Sequence, residues 1–174
     1  MKNSLLKIAL LGKTNAGKST LINNFVGEKV SIVNKKINTT NDLILGVKND
    51  NNFQAVFYDT PGTNFLYFKK KIKNNFKTII WEAIESSDFL LYLIDSKKFT
   101  INNILSDLKK INEVKKPIIL VFNKIDLIDK NLLLPIILEI DKYKIINSFF
   151  NISAKSNLGV NKLYNFLKSK SYSN

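Results

Sequence analysis

The chain of 174 residues contains no cysteine and no histidine, and all 27 of its basic residues are lysine. The absence of cysteine excludes a disulfide scaffold and any zinc or iron–sulfur site with cysteine ligands. Without histidine, the commonest general base is missing, and the usual serine and cysteine hydrolase constellations are missing with it. Without arginine, the chain cannot supply an arginine finger. Several enzyme classes are therefore excluded before any motif is considered.

Long apolar runs are also missing, although hydrophobic residues make up 45% of the chain. That fraction is typical of a globular protein and not of a disordered one. No apolar run reaches the ~18 residues that a membrane helix needs, and the first residues show no signal-peptide pattern. The length corresponds to one domain. We therefore expect a single globular domain, located in the cytoplasm and monomeric.

The formal net charge of +13 is weak evidence for a nucleic-acid or membrane partner. Lysine, asparagine and isoleucine are all abundant and share A/T-rich codons, so a mutational bias alone would raise lysine and deplete arginine and histidine. The charge permits contact with nucleic acid or with an anionic membrane surface. Residues 68–77 hold five lysines among aromatic residues. They form either a nucleotide-gated surface for rRNA or lipid, or a solvated helix face, and the composition favours the second.

Apolar runs alternate with segments of helical spacing from end to end. Strands are predicted at residues 5–11, 42–48, 53–58, 89–95, 117–122 and 145–151, and helices at 19–26, 71–86, 101–114, 131–141 and 160–168. The polar residues 49–52 join two of these strands in a hairpin. The pattern predicts an α/β three-layer sandwich with a mostly parallel six-stranded sheet and one antiparallel edge strand. We assign residues 1–168 to this domain and expect residues 169–174 to fray.

The first motif is a phosphate-binding loop. It reads Gly12-Lys13-Thr14-Asn15-Ala16-Gly17-Lys18-Ser19, fits G-x-x-x-x-G-K-[ST], and lies between a predicted strand and a predicted helix. Backbone N–H groups and the helix dipole are expected to hold the phosphates, with Thr20 just inside the helix. Lys18 is expected to reach the β- and γ-phosphates, and the Ser19 hydroxyl to ligate Mg²⁺.

The second motif, Asp59-Thr60-Pro61-Gly62, follows the strand of residues 53–58. A carboxylate at the end of that strand, beside the phosphate loop, suits the Mg²⁺ shell. The Gly62 N–H group can meet the γ-phosphate and so sense its presence. Taken alone this string is an ordinary turn, but it becomes specific when it follows a phosphate-binding loop.

Two further motifs select the base. In Asn123-Lys124-Ile125-Asp126, the Asp126 carboxylate can accept hydrogen bonds from guanine N1–H and N2–H₂, which adenine lacks. Asn123 can bond the base edge and brace the phosphate loop, and the Lys124 stem can lie on the ring. In Ser153-Ala154-Lys155, the Ala154 N–H can donate to guanine O6. Each motif follows a predicted strand, and ligands of such sheets bind at those strand ends.

With these four motifs in order, the chain resembles the translation-factor-like class of small GTPases, and above all the G domain of the Era family. The resemblance also rests on residues 29–40, 44–47, 53–62, 132–135 and 150–155, and it covers nearly the whole chain. It implies Mg²⁺-dependent GTP binding, slow hydrolysis to GDP as a conformational switch, and a role in small-subunit ribosome assembly through 16S rRNA. The alternatives are another ribosome-assembly GTPase with only a G domain, and a catalytically weak scaffold that recruits a partner when loaded.

The sequence departs from the Era pattern in two places. Asn41 stands where that pattern has arginine, and no G-x-x-G clamp of a KH-type RNA-binding domain follows the fourth motif. We therefore expect no KH domain in this chain.

The resemblance also suggests where catalysis would come from. A loop from Gly27 to Asp42 would close over the Mg²⁺ through Thr40, with Thr39 as the second choice. Thr63 stands where Ras-type enzymes carry the glutamine that orients the attacking water, and its hydroxyl is too short for that part. Asn15 either ligates K⁺ beside the β- and γ-phosphates or only braces its loop. The candidate catalytic residues are Lys18, Thr40, Gly62 and Asn15.

Overall fold

Strands and helices alternate along the chain, as the apolar pattern predicts. The structure, a computed structural model, describes residues 4–27, 33–34, 44–63 and 75–173. The strands are β1 (Ser4–Gly12), β2 (Val33–Asn34), β3 (Ile44–Asp50), β4 (Phe53–Asp59), β5 (Phe89–Asp95), β6 (Ile118–Asn123), β7 (Ser148–Asn151) and β8 (Tyr172–Ser173). The α-helices are α1 (Lys18–Val26), α2 (Asn75–Ser86), α3 (Ile101–Ile111), α4 (Leu133–Asp141) and α5 (Val160–Ser169).

Some of the predictions fall on residues outside this description. They concern the Mg²⁺ ligand Thr40, its alternative Thr39, the departure at Asn41, and residues 68–74 of the lysine-rich segment. None of the α-helices among the described residues is both long and apolar enough to cross a membrane.

The strands form one sheet in the order β2-β3-β4-β1-β5-β6-β7, with β8 beside β1. The pairs β1–β4, β1–β5, β5–β6 and β6–β7 are parallel, whereas β3 runs antiparallel to β4. The six longer strands therefore confirm the predicted mostly parallel sheet with one antiparallel member. The sequence did not predict β2, a two-residue strand that lies antiparallel outside β3.

Both faces of the sheet are covered, which is why its central strands are apolar without alternation. One core cluster packs the sheet against α1 and α5, through Leu21, Phe25, Leu163 and Leu167 among others. The other packs it against the remaining helices, through Ile84, Ile104, Leu108, Leu133 and Ile140 among others. Successive β5 residues enter the two clusters in turn. The three-layer α/β sandwich is confirmed.

Besides shifts of one or two residues at the ends of several strands and helices, the elements differ from the prediction at four places. The predicted helix 101–114 ends as α-helix at Ile111 and continues as a 3-10 turn, Asn112–Val114. The helix predicted at 131–141 begins with the 3-10 turn Lys130–Leu132, and the strand predicted at 145–151 is only Ser148–Asn151. The fourth difference is at the tail, where fraying was predicted but Tyr172–Ser173 pairs antiparallel with Ser4 and Leu5. Backbone pairing along the free side of β1 explains that correction, because this part of β1 has no other neighbour there.

The register of the sheet aligns the ends of its parallel strands. Leu10 of β1 lies beside Asp59 of β4, and Asp95 of β5 lies beside Asn123 of β6. Because parallel strands end at the same edge, the loops that follow them are brought together there.

Candidate functional site

The loop between β1 and α1 folds around its own lysine. The Lys18 ammonium donates to the backbone oxygens of Gly12 and Lys13, both at 3.2 Å. The Lys18 side chain is 7% exposed. Burial lowers the pKa of Lys18, and the negative charge of Asp59 partly opposes that shift. An anion in this cleft would therefore further stabilise the charged form of this buried ammonium.

Gly17 is one position where the loop needs glycine. Its φ of +97° lies in the region that side chains rarely adopt, and a Cβ there would lie 2.2 Å from Asn123 Nδ2. The second glycine of the motif therefore permits both the turn into α1 and the close approach of β6.

The Asp59–Gly62 turn is tied to the same cleft at several points. The Ser19 hydroxyl donates to Asp59 Oδ2 at 2.5 Å, and the buried Thr60 hydroxyl donates to the Leu10 oxygen at 2.6 Å. Gly62 lies against the phosphate loop so closely that a Cβ would meet Thr14 Oγ1 at 2.4 Å. The second motif therefore lies directly over the first.

Asn123 joins the phosphate loop to the third and fourth motifs. Its Nδ2 donates to the Ala16 oxygen at 2.8 Å, and its Oδ1 accepts from the Lys124 and Ala154 N–H groups at 2.8 and 2.9 Å. Asn123 is 2% exposed. One buried amide thus connects residues that lie 107 and 31 positions away in the sequence. Of the two roles the sequence suggests for Asn123, bracing the phosphate loop is the one this geometry displays.

The cleft enclosed by these loops has a volume of about 670 Å³. It is lined by Thr14, Asn15, Gly17, Lys18, Ser19, Thr20, Asp59, Thr60, Pro61, Gly62 and Lys124. All of these residues were predicted to contact nucleotide or metal. The size of the cleft and its mixture of lysine ammonium groups and hydroxyls suit the phosphates of a nucleotide.

Comparison with known proteins identifies the family. Residues 7–124 match the protein family described as 50S ribosome-binding GTPase. The chain belongs to this GTPase family. Its similarity to GTPase Era of Buchnera aphidicola is 37% identity over 165 residues, which cover 93% of this chain. The same alignment covers 57% of the Buchnera protein, so this chain spans little more than half the length of that relative.

Solved structures agree with this family assignment. Era in complex with MgGDPNP and nucleotides 1506–1542 of 16S ribosomal RNA is 32% identical with a TM-score of 0.77, over 99% of this chain and 58% of that one. A variant of Aquifex aeolicus Era bound to GDP·AlF4⁻ is 33% identical with a TM-score of 0.76, over 100% of this chain and 58% of that one. The resemblance to the Era G domain is confirmed.

The other residues predicted to select the base do not line the phosphate cleft. Asp126 is exposed within the 3-10 turn Ile125–Leu127 and does not line the cleft. Ser153 and Ala154 are buried, whereas Lys155 is exposed. The Ala154 N–H, predicted to donate to guanine O6, donates to Asn123 Oδ1 in the structure. The predicted contact with O6 would require this N–H to be shared with the base or released from Asn123.

Sequence reasoning missed one part of the site, the ion pair between Asp95 and Lys124. As the last residue of β5, Asp95 stands where a turn residue is expected, and its Oδ1 accepts from the Lys97 N–H at 3.0 Å. Its Oδ2 also pairs with the Lys124 ammonium at 2.6 Å, and Lys124 in turn donates to the Asn15 oxygen at 2.8 Å. The available signal was its position, since Asp95 ends the strand next to the one that carries the third motif.

The described residues hold no cluster of three acidic side chains that would form a metal centre by itself. Ser19 Oγ and Asp59 Oδ2 are nevertheless the kind of oxygen ligands Mg²⁺ takes when phosphate oxygens complete its shell. Their direct hydrogen bond shows that they converge on one point. The residues present therefore fit a phosphate-bound Mg²⁺.

Proposed function

We propose that this chain binds guanine nucleotides and hydrolyses GTP slowly to GDP and phosphate, as a Mg²⁺-dependent conformational switch. The observation that supports the proposal is the set of hydrogen bonds through which Asn123 connects Ala16 of the phosphate loop to Ala154 of the fourth motif. A phosphate loop alone would be compatible with many nucleotides. Its fixed connection to an N-K-x-D turn favours guanine, because the Asp126 carboxylate matches two donors that adenine lacks.

At the phosphates, Lys18 supplies the positive charge. In the structure its ammonium donates to backbone oxygens of its own loop. We propose that it exchanges these oxygens for β- and γ-phosphate oxygens, and that the Gly62 N–H contacts the γ-phosphate. Ser19 and Asp59 would hold Mg²⁺, with Thr40 as a third ligand in the GTP state. The ion neutralises phosphate charge when bound.

Catalysis requires another contribution, because the chain has no arginine or histidine. We propose that Asn15 helps to hold K⁺ beside the phosphates. Asn15 lines the cleft in a left-handed conformation with φ of 66°, and its side chain is exposed. Its amide oxygen is a ligand that an alkali cation accepts. A second cation would stabilise negative charge that develops in the transition state.

For the partner we propose the small ribosomal subunit, through 16S rRNA, with the chain acting as a cytoplasmic monomer. Support comes from the structure of a similar protein, Era, in complex with a 16S rRNA fragment. A second candidate function is a loaded scaffold that binds GTP without hydrolysing it. Thr63 favours it, since the residue that follows Gly62 is buried and cannot orient water.

Base selection tests the proposal first. Titration of the purified chain with GTP, GDP, ATP and XTP should show at least tenfold preference for GTP over ATP, or ~1.4 kcal/mol. Asp126→Asn should replace an acceptor by a donor and shift preference toward XTP. Asp129→Asn is the matched control, because Asp129 is a neighbouring exposed carboxylate whose side chain caps a 3-10 turn. ATP binding within tenfold of GTP would contradict the proposal.

Single-turnover hydrolysis with Mg²⁺ distinguishes an enzyme from a scaffold. We expect slow release of phosphate from GTP, and its loss in Lys18→Ala. Tight GTP binding without any hydrolysis would favour the scaffold. Co-sedimentation with small ribosomal subunits, compared between a non-hydrolysable GTP analogue and GDP, tests the partner, and equal absence in both states would remove it.

A further inference from the structure

A buried carboxylate in α3 takes no part in the nucleotide cleft. Asp107 is 1% exposed and does not line the cleft. Its Oδ2 accepts hydrogen bonds from the Thr63 hydroxyl at 2.9 Å and from the Tyr92 hydroxyl at 2.6 Å. A carboxylate buried this deeply is costly unless donors surround it, and bonds to a charged acceptor are the stronger kind. The buried Asp107 carboxylate therefore fixes the Thr63 side chain through this hydrogen bond.

Thr63 is the residue directly after the proposed γ-phosphate sensor. It is 1% exposed, so its side chain is held in the interior and not in the cleft. Gly62, its neighbour, lies in contact with Thr14 of the phosphate loop, where a Cβ would be 2.7 Å from the Thr14 N atom. The turn is thus fixed on both sides of Gly62, by Thr60 on the Leu10 oxygen and by Thr63 on Asp107.

We infer that Asp107 is a positioning residue that acts through Thr63 to hold the Gly62 N–H at the phosphate loop, and so sets the preference for GTP over GDP. The inference rests on the proposed function, in which Gly62 meets the γ-phosphate. A turn that is already fixed loses little conformational entropy when GTP binds, whereas a free turn would have to be ordered at that moment. GDP has no γ-phosphate for Gly62, so its affinity does not depend on this anchor.

The decisive variant is Thr63→Val, which keeps the branched shape and removes the hydroxyl. We expect the affinity for a non-hydrolysable GTP analogue to fall by about tenfold, the factor that corresponds to one hydrogen bond to a charged group. GDP affinity should stay within twofold. Thr63→Ser retains the hydroxyl and should restore most of the ratio of analogue affinity to GDP affinity. Asp107→Asn keeps an acceptor oxygen without the charge, and should lower the ratio in the same direction but less.

Two control variants separate positioning from stability. Tyr92→Phe removes the tyrosine hydroxyl that donates to Asp107 while leaving Thr63 in place, so it should lower the thermal midpoint without changing the ratio of analogue affinity to GDP affinity. Ser87→Ala removes a buried hydroxyl bond to the Ala83 oxygen, 2.7 Å long and outside the cleft lining, and should behave likewise. A purely structural role for Asp107 predicts that Thr63→Val resembles these two controls.

The possible results are distinct. A lowered analogue-to-GDP ratio in Thr63→Val, restored in Thr63→Ser, supports the inference. Equal loss of both affinities, or no loss of either, overturns it while leaving the proposed function standing. A wild-type chain that binds GDP but not the analogue, or neither, overturns the proposed function and this inference together. If Thr63→Val fails to fold, Asp107→Asn with Tyr92→Phe as its control decides by the same ratio.

Discussion

Replacing Asn123 by alanine should destabilise the protein even when no nucleotide is present. The side chain makes three hydrogen bonds, to the Ala16 oxygen and from the Lys124 and Ala154 N–H groups. The bonds to Ala16 and Ala154 are buried. Alanine at this position would leave that oxygen and that N–H without a partner in the protein interior.

The size of the effect follows from these two groups. A buried polar group that loses its partner costs about 1–3 kcal/mol, so two groups together cost about 2–6 kcal/mol. Water that enters the space left by the amide would form hydrogen bonds with part of these groups. We therefore expect a loss of about 2–4 kcal/mol in the free energy of unfolding, the lower half of that range. For a domain of this length, each kcal/mol lowers the thermal midpoint by about 2–4 °C.

The measurement is urea denaturation of nucleotide-free protein, with the m-value checked for two-state behaviour. Asp126→Ala is the matched control, since Asp126 belongs to the same motif but is exposed. It should change the free energy of unfolding by less than about 0.5 kcal/mol, as is usual at the surface. The reasoning is refuted if Asn123→Ala unfolds at the wild-type urea concentration, or if Asp126→Ala is destabilised as much.

Further predictions concern the cations of the site. Lys18→Met should abolish tight nucleotide binding without lowering the stability of the nucleotide-free protein, because burial disfavours the charged ammonium; loss of stability on titration with urea would contradict this. Burial lowers the pKa of Lys18 below its usual 10.5, so the folded state binds fewer protons than the unfolded state between the lowered pKa and 10.5. Wild type should therefore gain stability relative to Lys18→Met as pH rises through that window. If the free energies of unfolding of the two proteins instead change in parallel with pH, the pKa of Lys18 is not lowered in the folded state. GTP hydrolysis should be faster in KCl than in NaCl at equal ionic strength, and Asn15→Ala should remove that difference while sparing GDP binding; equal rates in wild type would leave an external activating partner as the source of catalysis.

Most of the architecture could be predicted from the apolar pattern. Residues 89–95 are an unbroken apolar run closed by an aspartate, and they form β5 with the predicted bounds, because a strand covered on both faces needs no polar residue. Boundaries were less predictable. The apolar spacing of α3 continues to Val114, yet the α-helix ends at Ile111. Lys115, directly after the following 3-10 turn, has a left-handed backbone conformation with a φ of 55°. Spacing reports which face is buried and not where backbone hydrogen bonds change type.

The candidate site likewise has features that the sequence predicts and features that only the tertiary structure shows. Its motif residues were found from sequence because a phosphate loop, or a turn that selects guanine, needs particular side chains at fixed short spacings. The Lys124–Asp95 ion pair and the Thr63–Asp107 hydrogen bond were not found, because their partners are 29 and 44 residues apart. Such contacts exist only once parallel strands have aligned their ends and α3 has packed on the sheet. Sequence therefore determined which chemistry the cleft offers, and tertiary structure alone decided which residues hold that chemistry in place.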